Sequence, residues 1–237
     1  MLKFSQKVGR VLGLSVFTLM ILWQVYLLKS MVWDWVPVIR WLLITCLFLQ
    51  FWLAYWGRSA ARNGAQGWRE TLLPLFCAGL PFAVIMPPAA FYPWLWEEHR
   101  HLAENWAWPV WRNLFDHDSG FLLGLWLMAF GEVVTILGMM SLKRNFSIMS
   151  EARALVKEGL YSWVRHPLYA GEILSMWGNA WFWPSWWNIG GAFLFMVLQS
   201  WRASIEEDKL EETFPEYGDY RKVTGRFFPR MVSRISW

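Results

Sequence analysis

The run VLGLSVFTLMILWQVYLL, residues 11–28, carries no charged side chain, and comparable runs recur along the chain. Roughly 20 apolar residues cross a bilayer as a helix. Such runs restrict the fold more than any motif does, because within lipid every backbone N–H and C=O must be bonded inside the protein. The apolar windows predict helices over Val11–Leu28, Val38–Trp56, Thr71–Phe91, Ser119–Leu142, Leu168–Phe182 and Ile189–Ser204. The expected fold is all-α, a polytopic integral membrane helical bundle of about six transmembrane helices with a further cytoplasmic helix near the C-terminus. Of 237 residues only 17% are charged and 56% are hydrophobic, against roughly 25% charged in soluble domains. No internal repeat or separate soluble segment interrupts the pattern, so a single membrane domain over residues 1–237 is expected.

Details of the runs carry further expectations. The first, preceded by Lys3, Lys7 and Arg10, looks like a signal peptide but exceeds the h-region length of roughly 7–15 residues and lacks a small-x-small cleavage site. It is expected to remain as the first membrane helix. The third contains Pro74, Pro81, Pro87 and Pro88 and should be kinked or broken. The last two are joined by WFWPSWWN, whose tryptophans suit an interfacial belt.

Lys and Arg cluster beside alternate connections. Arg58, Arg62 and Arg69 follow the second run, Lys143, Arg144, Arg153, Lys157 and Arg165 the fourth, and Arg202, Lys209, Arg221, Lys222, Arg226, Arg230 and Arg234 lie at or beyond the end of the sixth. The intervening connections hold only Lys29 and Arg40, then Arg100 and Arg112, then none. Positive residues are retained in the cytoplasm, so both termini and the charge-rich connections are expected there, in a membrane of the bacterial inner type. The net charge of +4 is what such topology requires, which excludes a nucleic-acid footprint as its cause. Cys46 and Cys77 sit in apolar runs as packing residues. The histidines His99, His101 and His117 of the outer loop would form a metal site only by coincidence of fold, so no metal is expected.

Chemistry concentrates where the last runs meet polar sequence. In VRHPLYAG, Pro167 suits the first position of a helix and holds His166 extended. Arg165 and His166 then stand at a helix N-terminus whose free N–H groups attract anions. Headgroup anchoring would use the same residues. After the sixth run, Leu210 and Phe214 define an apolar stripe that Glu206 and Glu207 flank, while Asp208, Lys209 and Glu212 point away. Two carboxylates on a packing side need partners. Either they pair with Arg165 or Arg226, or they receive a ligand's ammonium and hydroxyl groups. Glu132, in AFGEVVTILG, stands as the acidic residue deep in a predicted span, for function or for a packing hydrogen bond.

LVKEGLYSWVRHPLYAG, followed one helical hairpin later by EEDKLEETFPEYGDYRKVTGRFFP, resembles the isoprenylcysteine carboxyl methyltransferase and phospholipid methyltransferase superfamily of integral membrane enzymes. The segment LKRNFS ahead of them is also similar. The resemblance covers roughly the C-terminal 100 residues and divides the chain into N-terminal spans with an outer loop (1–118) and a methyltransferase-like core (119–237). It implies S-adenosylmethionine bound at the cytoplasmic ends of the last helices and a lipophilic small-molecule or prenylated methyl acceptor entering from the membrane, with membrane lipids as partners. Gly159, Tyr161, Arg165, His166, Pro167, Tyr169 and Gly171 match the first motif. Glu206, Glu207, Leu210, Tyr217, Tyr220, Arg226 and Pro229 match the second. Leu160 and Gly225 depart from positions where the family often has proline. Cofactor binding is accordingly expected at Gly159, Tyr161, His166, Pro167, Tyr169, Gly171, Glu206 and Glu207, and catalytic roles at Arg165, His166, Glu206 and Arg226. The arginines would orient a carboxylate acceptor; His166 or a glutamate would take the proton of a thiol or amine. A related sterol-reductase type of enzyme using NADPH and an idle membrane scaffold are the alternatives. Oligomeric state is open, since Gly124, Gly131 and Gly138 would permit close packing within or between chains.

Overall fold

The computed structural model of the chain describes residues 2–28, 35–57, 59–85, 117–182 and 186–230. Its helices are α1 (Leu2–Leu27), α2 (Trp35–Trp56), α3 (Gly67–Ile85), α4 (His117–Leu142), α5 (Pro167–Phe182), α6 (Trp186–Thr213) and the short α7 (Tyr217–Val223). Single 3-10 turns, Lys143–Asn145 and Gly159–Ser162, punctuate the segment between α4 and α5. Among the described residues there is no strand, only the isolated bridges of Asn63 with Ala152 and of Val164 with Gly225. The protein is all-helical.

Each apolar run coincides with a helix, with shifted ends. α1 starts at Leu2 rather than residue 11, and α6 continues past the run to Thr213. The expected break in the third run is absent between residues 67 and 85, where α3 passes through Pro74 and Pro81. Pro74 has no N–H for the Glu70 carbonyl one turn earlier, and the N–H of Ser150 donates to that carbonyl instead, at 3.1 Å. A neighbouring segment thus completes the helix. Pro87, Pro88, most of the outer loop with His99 and His101, and Trp183 to Ser185 of the Trp-rich hairpin lie outside the described residues.

Contacts fix the helix directions. α1 and α2 run antiparallel, with Phe17 stacked on Phe51 at 5.2 Å and the Trp41 indole donating to the Gln24 carbonyl. α4 and α5 are antiparallel and packed backbone to backbone, because small residues face each other. A Cβ on Gly131 would stand 2.6 Å from the Ser175 nitrogen, and one on Gly178 2.5 Å from that of Met128. Gly131 and Gly138 therefore serve packing within the chain. α3 lies antiparallel to α6, with Val84 against Gly191 at one end and Glu70 paired with Lys209 at the other. α2 and α4 run the same way: Gln50 donates to the Ile136 carbonyl and the N–H of Ser59 to that of Arg144.

One end of the bundle therefore gathers residues 59–66, 143–166 and 204–230, which belong to the charge-rich connections. The flanks are apolar. Trp126, Phe130, Val133, Leu137 and Met140 form an exposed stripe on α4, and Phe193, Leu194, Val197 and Trp201 another on α6. Within the described residues, Leu122–Asn145 is long and apolar enough to cross a membrane, and Gly13–Tyr26 and Trp41–Trp56 are shorter apolar helical stretches.

Candidate active site

Pro167 opens α5, as its fixed φ and missing N–H allow. The two residues before it are held by the chain's C-terminal segment: the N–H of Arg165 donates to the Gly225 carbonyl at 2.8 Å, and that of His166 to the Arg226 carbonyl at 3.0 Å. The His166 carbonyl accepts the Ala170 N–H and begins the helix. Its ring stacks on Tyr169, three residues on, with centroids 5.3 Å apart. Upstream, Gly159 has φ +60, and a Cβ there would meet the Ser141 hydroxyl at 2.4 Å, so both conformation and space require glycine.

Glu206 and Glu207 are adjacent in sequence and face different surroundings. Glu207 Oε1 accepts Arg165 Nε at 2.9 Å, lies 3.1 Å from His166 Nε2 and 3.4 Å from Arg226 Nε, and Oε2 is 4.0 Å from Arg221 Nε. Burial pushes its pKa up, but hydrogen bonds from His166 and Arg165 and their charge outweigh that and hold the carboxyl at about 2. The pairing with Arg165 and Arg226 open from the sequence thus belongs to Glu207. Glu206 accepts the Tyr169 hydroxyl, with Arg202 Nε at 3.5 Å and His166 Nδ1 at 3.9 Å.

Beside Glu206 opens a cleft of about 90 Å³, walled by residues 145–156, the start of α5, α6 and α7. Tyr161, Arg165, His166, Tyr169 and Glu206 line it, with Arg153, Lys209, Tyr217 and Tyr220. Tyr220 donates to the Tyr161 carbonyl at 2.6 Å, whereas the buried Tyr217 hydroxyl has no hydrogen-bond partner among the described residues. Burial pushes the Tyr220 phenol up to about 12 and raises Tyr161 and Tyr217 as well. All three are neutral donors at physiological pH.

Gly159, Pro167, Gly171, Glu207 and Arg226 lie outside this lining. Gly171 faces α4, where a Cβ would stand 2.4 Å from the Thr135 hydroxyl. Arg226 donates to Ser204 at 2.6 Å and reaches Glu207. Arg165 borders the cleft, but its guanidinium is occupied by Glu207 and by the Thr224 and Arg221 carbonyls.

Lys209 does not point away from the packing side. It is 4% exposed, paired with Glu70 of α3 and bonded to the Gly64 carbonyl, which locks the α2–α3 connection onto α6. Nor is Glu132 alone in the bundle interior. Glu132 accepts Ser175 at 3.5 Å, while Glu172, on α5, accepts the Gln199 amide. Arg202, also buried, lies over the Tyr169 ring at 4.7 Å and donates to the Ile148 carbonyl at 2.6 Å. Glu172 and Gln199 leave no mark in the hydropathy pattern, and Arg202 enters it only as a charge at the end of the sixth run. Their signal is the spacing Gln199, Arg202, Glu206 on α6 facing Tyr169 and Glu172 on α5, a polar stripe at helical period.

Residues 119–217 match the sequence model of the phospholipid methyltransferase family. The protein-S-isoprenylcysteine O-methyltransferase of Xenopus laevis is 33% identical over 104 residues, an alignment taking in 38% of this chain and 32% of the relative. The family match takes in α4 to α6 and the first residue of α7, hence most of the cleft, and leaves α1 to α3 and Arg226 outside it.

Proposed function

We propose, from the membership of residues 119–217 in the phospholipid methyltransferase family, that the chain is an integral membrane enzyme transferring a methyl group from S-adenosylmethionine to a lipophilic acceptor. The observation that carries this reading is the convergence of His166, Tyr169 and Glu206 with Arg153 and three buried tyrosines on one cleft at the charged end of the bundle. The donor set fits the cofactor. Glu206 suits an ammonium or ribose hydroxyls and the tyrosine rings a cation, while Arg153, ion-paired with Glu151, adds positive charge to the wall. The unpartnered Tyr217 hydroxyl is a buried donor of the kind a ligand satisfies. When bound, the cofactor supplies a sulfonium methyl for in-line displacement, in which positioning and exclusion of water outweigh a strong base.

The histidine has a defined tautomer in this reading. When the imidazole is neutral, the ionised Glu207 3.1 Å from His166 Nε2 favours the proton on that nitrogen and leaves Nδ1 as the acceptor on the Glu206 side. Nδ1 can accept the proton of a thiol or amine; a carboxylate acceptor needs no such step. Glu207 and Arg226 position Arg165 and His166. The apolar flanks and alternating helix directions support α1 to α6 as about six spans of one membrane domain, with the cleft and both termini on the cytoplasmic face. The chain spans about a third of its Xenopus relative's length, and the prenylated cysteine named for that protein is the leading acceptor class.

Incubating membranes that contain the protein with labelled S-adenosylmethionine and lipid extracts tests the activity. A labelled lipophilic product, lost in Glu206→Gln and His166→Ala while both variants remain folded, is the expected result. Calorimetric binding of NADPH in place of S-adenosylmethionine would sink this reading in favour of a reductase; binding of neither points to a scaffold.

A further inference from the structure

The segment Thr224 to Arg230 has two unlike sides. Inward, its backbone accepts the Arg165 and His166 N–H groups and Phe227 approaches the His166 ring at 6.1 Å. Outward, Phe228 is 82% exposed, and Trp163 and Val223, at 58% and 70%, flank the same pairing of residues 164 and 225. This apolar face lies beside the first residue of α5, where a predicted span begins, and cationic residues frame it. Between Glu216 and Arg230 the chain carries Arg221, Lys222, Arg226 and Arg230 against Glu216 and Asp219. Arg226 is turned toward Glu207, Arg221 pairs with Glu211 and Lys222 with Asp219 at 2.9 Å, whereas Arg230 caps the carbonyl end of α7. The segment's own side chains are net positive, partly offset by Glu207 and Glu211 of α6. Aromatic side chains beside such a segment at a predicted span boundary suit an anionic lipid surface, where each cation near the headgroups adds to the apolar insertion.

We propose that Trp163, Val223 and Phe228 insert into an anionic leaflet, and that this contact holds the C-terminal segment against the start of α5. The occupant of the face is the headgroup layer of acidic lipids. Because the same segment supplies the carbonyls that fix Arg165 and His166, lipid charge regulates how firmly those residues are held. This inference rests on the proposed reading of α5 as a membrane span and stands whether or not the cleft transfers methyl groups.

The test places an environment-sensitive NBD label at Phe228→Cys in a Cys46→Ala background; Cys77, 0% exposed, stays unlabelled. The protein is reconstituted at one copy per nanodisc, in phosphatidylcholine alone and with phosphatidylglycerol added. Expected are a blue-shifted emission quenched by lipid-borne nitroxide, stronger with phosphatidylglycerol and weakened by salt and by Lys222→Glu with Arg230→Glu. Amide exchange across residues 160–170 should slow in the same discs, and lose that dependence in unlabelled Trp163→Ser with Phe228→Ser. Emission as in water, or an equal shift in both lipids, overturns the proposal. A shift found only when two copies share a disc assigns the face to a second copy, which also overturns it.

Discussion

Glu206 and Glu207 differ less in sequence than in what surrounds them, and the difference is measurable. Glu207 is 3% exposed among Arg165, His166 and Arg226, and its pKa of about 2 lies below the ordinary 4.5. A depressed carboxyl stabilises the fold above its unfolded pKa, so the contribution is complete above about pH 4.5 and fades as pH falls toward about 2. At 1.36 kcal/mol per unit, that is about 3 kcal/mol. Thermal denaturation in detergent should show a melting temperature falling through this window in the wild type and a flatter profile in Glu207→Gln. That variant also leaves Arg165 and Arg226 without their shared counter-charge, at a cost of about 3–5 kcal/mol. Glu206→Gln should melt within about 1 kcal/mol of wild type yet lose cofactor affinity by calorimetry; equal destabilisation of the two variants would contradict the division of roles. From sequence both glutamates were visible as a packing-side pair, but their division was not. It depends on the partner that the pairing of residues 164–166 with 225–226 brings near, which no local pattern encodes.

At the scale of helices, the hydropathy pattern located all six apolar elements, since long apolar runs without strand alternation read as helices. It misjudged faces. Placing Lys209 away from the packing side assumed that charge seeks solvent, whereas Glu70 and the Gly64 carbonyl satisfy its ammonium in the interior. The same assumption hid Glu172 and Gln199 and left Arg202 as a mere charge at the end of the sixth run. In a bundle with exposed flanks as apolar as Trp126, Phe130 and Met140, the polar stripe marks the inside. The motif glycine Gly171, matched to the family pattern, stands at the α4–α5 contact. Gly171→Leu should force these helices apart and destabilise by about 1–3 kcal/mol, read as a lowered melting temperature. A double-mutant cycle on Glu70→Gln and Lys209→Met should give a coupling of about 0.5–3 kcal/mol; additive losses would mean that the α3–α6 tie is not energetic.

For the whole molecule, the helix directions and the charge distribution make one joint demand. α2, α4 and α6 run one way and α1, α3 and α5 the other, and the connections rich in Lys and Arg meet at the end where Ser59 bonds Arg144, Asn63 pairs with Ala152 and Val164 with Gly225. If the bundle crosses the membrane about six times, residues 59, 157 and 216 share the cytoplasmic side and Trp187 lies toward the other. Single cysteines at Ser59, Lys157, Glu216 and Trp187, each in the Cys46→Ala background, can be probed with a membrane-impermeant thiol reagent. The first three should label in inverted vesicles and resist in right-side-out ones, and Trp187→Cys should do the reverse. Labelling of Ser59→Cys and Glu216→Cys from opposite sides would require an odd number of crossings between them. It would also separate Glu70 from Lys209 across the bilayer, which their ion pair forbids, so the experiment tests the fold and the topology together.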